Sequence, residues 1–196
     1  MQVRTSITAA GRVKQYKLFK DTSSEFGGDL LKTRAGRASP RPLDTKNTMH
    51  LVLRSTKARG AWSFWKPQNK EHIARLTRKF ATKYGIRIHS MANVGNHLHF
   101  QLKLSNRFTY TPFIRALTAS IAMAVTKTSR WNPLKAEAKD RFWDRRPYTR
   151  AVKGITGYFK LRDYIEINKL EGFGFQKPQA RFFLARNQLE AFENSV

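Results

Sequence analysis

The chain has 196 residues, 40% of them hydrophobic, a formal net charge of +25 and a sequence pI of about 11.0. That is enough apolar material for one cored domain with an appended tail, and it excludes a wholly disordered polymer. Cysteine is absent, which excludes disulfides, thiolate metal sites and zinc fingers.

So large a positive charge repels itself and points to a polyanionic partner, nucleic acid first. An anionic membrane is the second candidate, but the sequence has neither a long apolar span nor a lipidation signal. Met1 to Lys20 lacks the continuous apolar stretch of a signal peptide. A cytoplasmic protein with no membrane partner is the expectation.

Residues 1–47 carry scattered Lys and Arg, Thr22-Ser23-Ser24, Gly27-Gly28 and Ser39-Pro40-Arg41-Pro42, with no sustained apolar period. They read as an extended basic arm with a short helix near Asp29 to Lys32. Its Arg34, Arg37 and Arg41 either grip DNA phosphates or a groove, or are solvated charges on a solubilising tail. From Met49 the pattern sharpens. Met49 to Ser55 reads as a strand, and a loop with Gly60 and Pro67 follows. Asn69 to Lys83 is a helix with Ile73, Leu76 and Phe80 on one face. Ile86 to Met91 alternates as a strand, and Val94-Gly95-Asn96 is the turn of a hairpin into a strand through Leu102. Pro112 opens a helix from Phe113 to about Lys127. Phe142 to Ala151 reads as an irregular last strand. Ile155 to Lys169 is a third helix, ended by Gly172 and Gly174, and Phe182 to Phe192 is a short amphipathic segment.

The order β-α-β-β-α-β-α predicts an α+β fold whose first six elements form a ferredoxin-like sandwich. Its helices cover one face of an antiparallel sheet, and the third helix approaches the other. The expected division is a basic arm over 1–47, a main folded domain over 48–175 and a helical extension over 176–196.

His97-Leu98-His99 carries the chemistry. Alternate residues of a strand share a face, so the two imidazoles stand side by side while Leu98 turns into the core. Such a pair can chelate one metal ion. In the third helix Tyr164 and Asn168 are four apart and share a face. The set is two imidazoles, one amide and one oxygen nucleophile. His50, His72 and His89 read as structural histidines, and Glu166 as solvated or Arg-paired. Trp62 and Trp65 read as core packing, with base stacking the lesser alternative. Arg141, Phe142, Trp143, Arg145 and Arg146 together suit a single-strand-binding surface, the rings stacking on bases and the cations on phosphates.

With these residues the chain resembles the single-tyrosine HUH-endonuclease transposases, in which U is a bulky apolar residue. His97-Leu98-His99 stands as the HUH motif, and Tyr164-Ile165-Glu166-Ile167-Asn168 is similar to the tyrosine helix. Arg141-Phe142-Trp143-Asp144-Arg145-Arg146 further resembles the block found in the REP-associated tyrosine transposases. The resemblance covers about Met49 to Gly174. It implies Mg²⁺ or Mn²⁺ held by His97, His99 and Asn168. It also implies attack by Tyr164 on a phosphodiester, giving a 5′-phosphotyrosine, with single-stranded or hairpin DNA as substrate and the bacterial nucleoid as location. Two features depart from the pattern. Lys169-Leu170 stands where Pro-Val commonly follows the asparagine, and neutral imidazoles suit zinc, copper or iron better than magnesium. The rival reading is a non-catalytic binding protein for structured DNA or RNA. A ribosome-like RNA-packaging protein fits the charge but gives no reason for the Tyr164–Asn168 pairing. Monomer and homodimer both remain open.

Overall fold

The computed structural model describes residues 43–129, 131–132, 141–144 and 146–193, with side chains to 187. Arg34, Arg37, Arg41 and Arg145 lie outside the described residues. The elements, in order, are β1 (Thr48–Arg54), α1 (Pro67–Lys83), β2 (Ile86–Asn93), β3 (His97–Leu104), α2 (Tyr110–Thr126), β4 (Tyr148–Val152), α3 (Gly154–Gly172) and α4 (Lys177–Glu193). The sheet order is β2-β3-β1-β4 with every neighbouring pair antiparallel. β3 therefore lies between β1 and β2, as a split β-α-β unit requires.

Two-residue periodicity divides the sheet into two faces. Met49, Leu51 and Leu53 of β1 and Leu98, Phe100, Leu102 and Leu104 of β3 are buried. They form one core with Ile73, Leu76 and Phe80 of α1 and with Phe113, Leu117 and Ile121 of α2. The residues between them, His50 and Val52 on β1 and His97, His99 and Gln101 on β3, share the opposite face. Across that face runs α3, whose Leu161 and Ile165 cluster with Ala92 of β2. A hydrogen bond from Gln101 Nε2 to the Tyr158 carbonyl, 3.1 Å, also ties α3 to β3.

Several boundaries move from the sequence reading. α1 begins at Pro67 and α2 at Tyr110, so each proline lies in a first turn, where its missing N–H costs little. β2 runs on to Asn93 through a bulge between Ile88 and Ser90. α4 is a full helix rather than a short segment. The last strand begins at Tyr148, not Phe142, because Phe142 to Asp144 close the core instead. Phe142 packs on Trp62 and Phe64 at ring distances of 6.5 and 6.2 Å. Trp143 packs on Phe64 at 5.8 Å and donates its indole N–H to the Thr118 carbonyl at 3.0 Å. Asp144 accepts from Thr56 N and Oγ1 at 2.7 and 2.9 Å and pairs with Arg54 at 3.7 Å. Ser55 Oγ donates to the Phe142 carbonyl.

Candidate active site

The site stands on the sheet face under α3. Leu98 is completely buried, and this anchors β3 with both flanking imidazoles turned toward the helix. The His97 and His99 rings lie 4.8 Å apart at 73°. His97 Nδ1 is 2.6 Å from Asn96 Oδ1. With that oxygen accepting, Nδ1 carries the proton and Nε2 keeps a lone pair. His99 is almost fully buried, and its Nε2 has no hydrogen-bond partner. α3 brings the Tyr164 ring edge-on to His99 at 5.6 Å, while leaving Tyr164 46% exposed. One turn on, buried Asn168 donates through Nδ2 to the Tyr164 carbonyl at 2.6 Å, which leaves Oδ1 for another partner.

Asn168 lies between two fixed points of α3. Tyr164 is against His99. Gly172 is against the end of the β2–β3 hairpin, where an added Cβ would sit 3.1 Å from the Asn93 carbonyl oxygen. Asn93 pairs with Leu98, so the C-terminal half of α3 is carried over the His97 end of β3.

A third imidazole completes the cluster. His50 of β1 lies edge to edge with His99, the rings nearly parallel at 14° and their centroids 5.4 Å apart, with His50 Nε2 3.1 Å from His99 Nδ1. It also meets Tyr164 edge-on at 5.7 Å. Burial first, then the Arg150 charge, pushes His50 down to about 4. Burial, then any positive charge on His50 and His97, pushes His99 down to about 3. Burial and Arg54 also lower His97. All three rings are therefore neutral near pH 7, the form in which a ring nitrogen ligates a metal.

Residues 45–168 match the family model described as transposase, IS200 like, well over half the chain and ending on Asn168. The chain belongs to the IS200-like transposase family. Its fold is similar to that of a REP-associated tyrosine transposase bound to a REP hairpin. The TM-score is 0.53 and the identity 16%, over 69% of this chain and 74% of that one. A second solved structure, of a protein from Deinococcus radiodurans given as a transposase, matches with TM-score 0.42 and 14% identity over 70% of this chain and 98% of that one. No curated protein matches the chain.

In this transposase the donor set fits a divalent ion in part. Two neutral imidazole nitrogens without protein partners and one amide oxygen could hold it. Among the described residues no three His, Cys, Asp or Glu side chains converge on one point. His50 cannot serve as a third imidazole ligand through Nε2 while that atom is bonded to His99. Glu166 pairs with Lys169 at 3.4 Å rather than with an arginine. No helix among the described residues is long and apolar enough to cross a membrane.

Of the residues read as a strand-binding surface, Phe142 and Trp143 are half-buried and pack against the core, while Arg141 and Arg146 beside them are exposed. Trp62 packs as expected, whereas Trp65 is half exposed and donates its indole N–H to the Asn93 carbonyl at 3.1 Å. A cleft of about 550 Å³ opens beside the tyrosine, lined by His50, His99, Tyr148, Arg150, Lys160 and Tyr164. Two cations and a second phenol ring thus border the same cleft as Tyr164. Sequence reasoning missed both His50 and Arg150. The signal for them was β1's alternation and the β1–β4 pairing that sets His50 opposite Arg150.

Proposed function

We propose that the chain is a metal-dependent transposase that nicks and rejoins single-stranded DNA through Tyr164. In this reading His97, His99 and Asn168 hold Mg²⁺ or Mn²⁺, and the substrate is a hairpin-bearing strand of the REP type. The observation that carries it is the Tyr164 ring, held 5.6 Å from His99 of the same chain. One chain thus brings nucleophile and histidines together, which supports a site complete in a monomer. The REP hairpin in the similar solved structure supports the substrate class.

The chemistry follows from the residues. Tyr164, which is open to solvent, gives its Oη proton to water and attacks phosphorus through that oxygen. The new O–P bond forms as the P–O3′ bond breaks, and the departing 3′-oxygen takes a proton from solvent. The product is a 5′-phosphotyrosine, which keeps the energy of the broken bond, so another 3′-hydroxyl can reverse the step without ATP. A bound divalent cation supplies Lewis-acid polarisation of the phosphate. Arg150 and Lys160, which line the cleft beside Tyr164, attract the flanking phosphates and hold the strand for attack.

The test is to incubate end-labelled hairpin strands with the protein and Mg²⁺ or Mn²⁺ and to denature in SDS. A covalent band is expected that disappears in Tyr164→Phe, and cleavage is expected to be lost in His97→Ala. Tight binding without any adduct across metals and sequences would instead establish a non-catalytic binding protein.

A further inference from the structure

We infer that His50 is a positioning residue that fixes the ring orientation and tautomer of His99, presenting His99 Nε2 as a ligand. The inference rests on the metal-site reading above and goes beyond it, since His50 lies in neither motif. Three observations converge. His50 Nε2 and His99 Nδ1 are 3.1 Å apart. The two rings are nearly parallel, 14°, and their centroids are 5.4 Å apart, so with the 3.1 Å N–N separation they lie edge to edge in one plane, as an N–H···N bond requires. The other nitrogen of His99, Nε2, is buried with no protein partner.

The proton on the shared hydrogen bond has two places to be. If His50 donates, neutral His99 must carry its own proton on Nε2, leaving a buried N–H with no acceptor. If His99 Nδ1 donates, Nε2 is a bare lone pair, which costs less than an unmatched N–H among these protein groups and is what a cation needs. Buried orphan donors are rarer than under-used acceptors. The second arrangement is therefore the one this packing selects. His50 then accepts at Nε2 and carries its proton on Nδ1. Metal-bound histidines commonly donate their second N–H to an acceptor that sets tautomer and ring angle. Here the acceptor is an imidazole from the neighbouring strand. β-pairing supplies the geometry. Val52 stands opposite His99, so His50 meets His99 on the diagonal of the same face.

The groups around His50 fit this role. Tyr148 and Tyr164 hold its ring edge-on, each at 5.7 Å, from β4 and α3. They limit rotation about its χ2, so its Nε2 stays aimed at His99.

The experiment has two readouts on the full chain. In metal-free protein, ¹⁵N-resolved NMR of the histidine rings should show His99 with its proton on Nδ1. In His50→Ala that tautomer should give way to a mixture, and in His50→Gln, whose amide oxygen can accept, it should persist. Mn²⁺ titration followed by electron paramagnetic resonance should show about 10–100-fold weaker binding in His50→Ala. In His50→Gln binding should stay within a few-fold of wild type. A wild-type His99 protonated on Nε2, or Mn²⁺ binding unchanged in His50→Ala, overturns the role of His50. Mn²⁺ binding unchanged in His97→Ala and His99→Ala overturns the metal-site reading itself, so the two failures are distinct.

Discussion

Gln101 is the clamp between the histidine strand and the tyrosine helix, and Gln101→Leu should release it. Gln101 is completely buried on the same face of β3 as His97 and His99. Its Nε2 donates to the Tyr158 carbonyl at 3.1 Å, and its Oε1 accepts from Ser90 Oγ at 3.2 Å. Leucine keeps most of the volume and loses both bonds. Each is worth about 0.5–1.5 kcal/mol net, so the cost should be about 1–3 kcal/mol. At about 2–4 °C per kcal/mol for a chain of this size, Tm should fall by several degrees. The larger effect should be on chemistry. Tyr158 is in the α3 segment that leads to Tyr164, and a displacement near 1 Å of a reacting group can cost roughly 100-fold. Adduct formation should therefore slow by about 10–100-fold while hairpin affinity stays within twofold. Thermal unfolding and a single-turnover adduct assay measure the two effects. Wild-type Tm together with a wild-type adduct rate would refute the clamp.

Other residues give equally direct tests. Gly95 has φ +88°, and a Cβ there would meet the Trp65 ring at 2.9 Å, so Gly95→Ala should destabilise by about 1–3 kcal/mol in urea unfolding. Trp143→Phe loses the bond to Thr118 and should cost about 1–2 kcal/mol with DNA affinity unchanged. A fall in affinity without a fall in stability would return Trp143 to base stacking. Without metal, stability should depend on pH through His50 and His99, whose folded values of about 4 and about 3 lie below the ordinary 6.5. The unfolded chain takes up protons below pH 6.5 that the folded chain refuses. Stability is thus full above that point and falls as pH drops toward 4. At pH 5 the loss should be about 2 kcal/mol per ring. Urea midpoints in EDTA at pH 7.5 and 5.0 measure it, and the difference should shrink in His50→Gln.

The parts of this molecule that were legible in the sequence are those set by short-range periodicity. Strand alternation placed Leu98 inward and both histidines on one face, and helical spacing placed Tyr164 and Asn168 together. The β-α-β-β-α-β order then left the histidine strand beneath the third helix. What was not legible depends on pairing between distant strands. His50 is one histidine in an alternating strand, and only the β1–β3 register brings it diagonally to His99. Arg150 is equally silent until β4 pairs with β1. The block Arg141 to Arg146 is ambiguous in sequence for another reason. Aromatic rings among arginines suit a base-stacking surface and a core plug with solvated flanks alike. The structure shows Phe142 and Trp143 half-buried against Phe64, and the Trp143→Phe affinity measurement separates the two roles.

The central claim is that Tyr164 becomes covalently bound to DNA. The most direct measurement is mass spectrometry of the protein digested after reaction with a hairpin strand and Mn²⁺. A 5′-phosphorylated nucleotide on the Tyr164 peptide, absent from Tyr164→Phe, is the predicted result. An adduct on another residue, or cleaved DNA with no adduct at all, would contradict it.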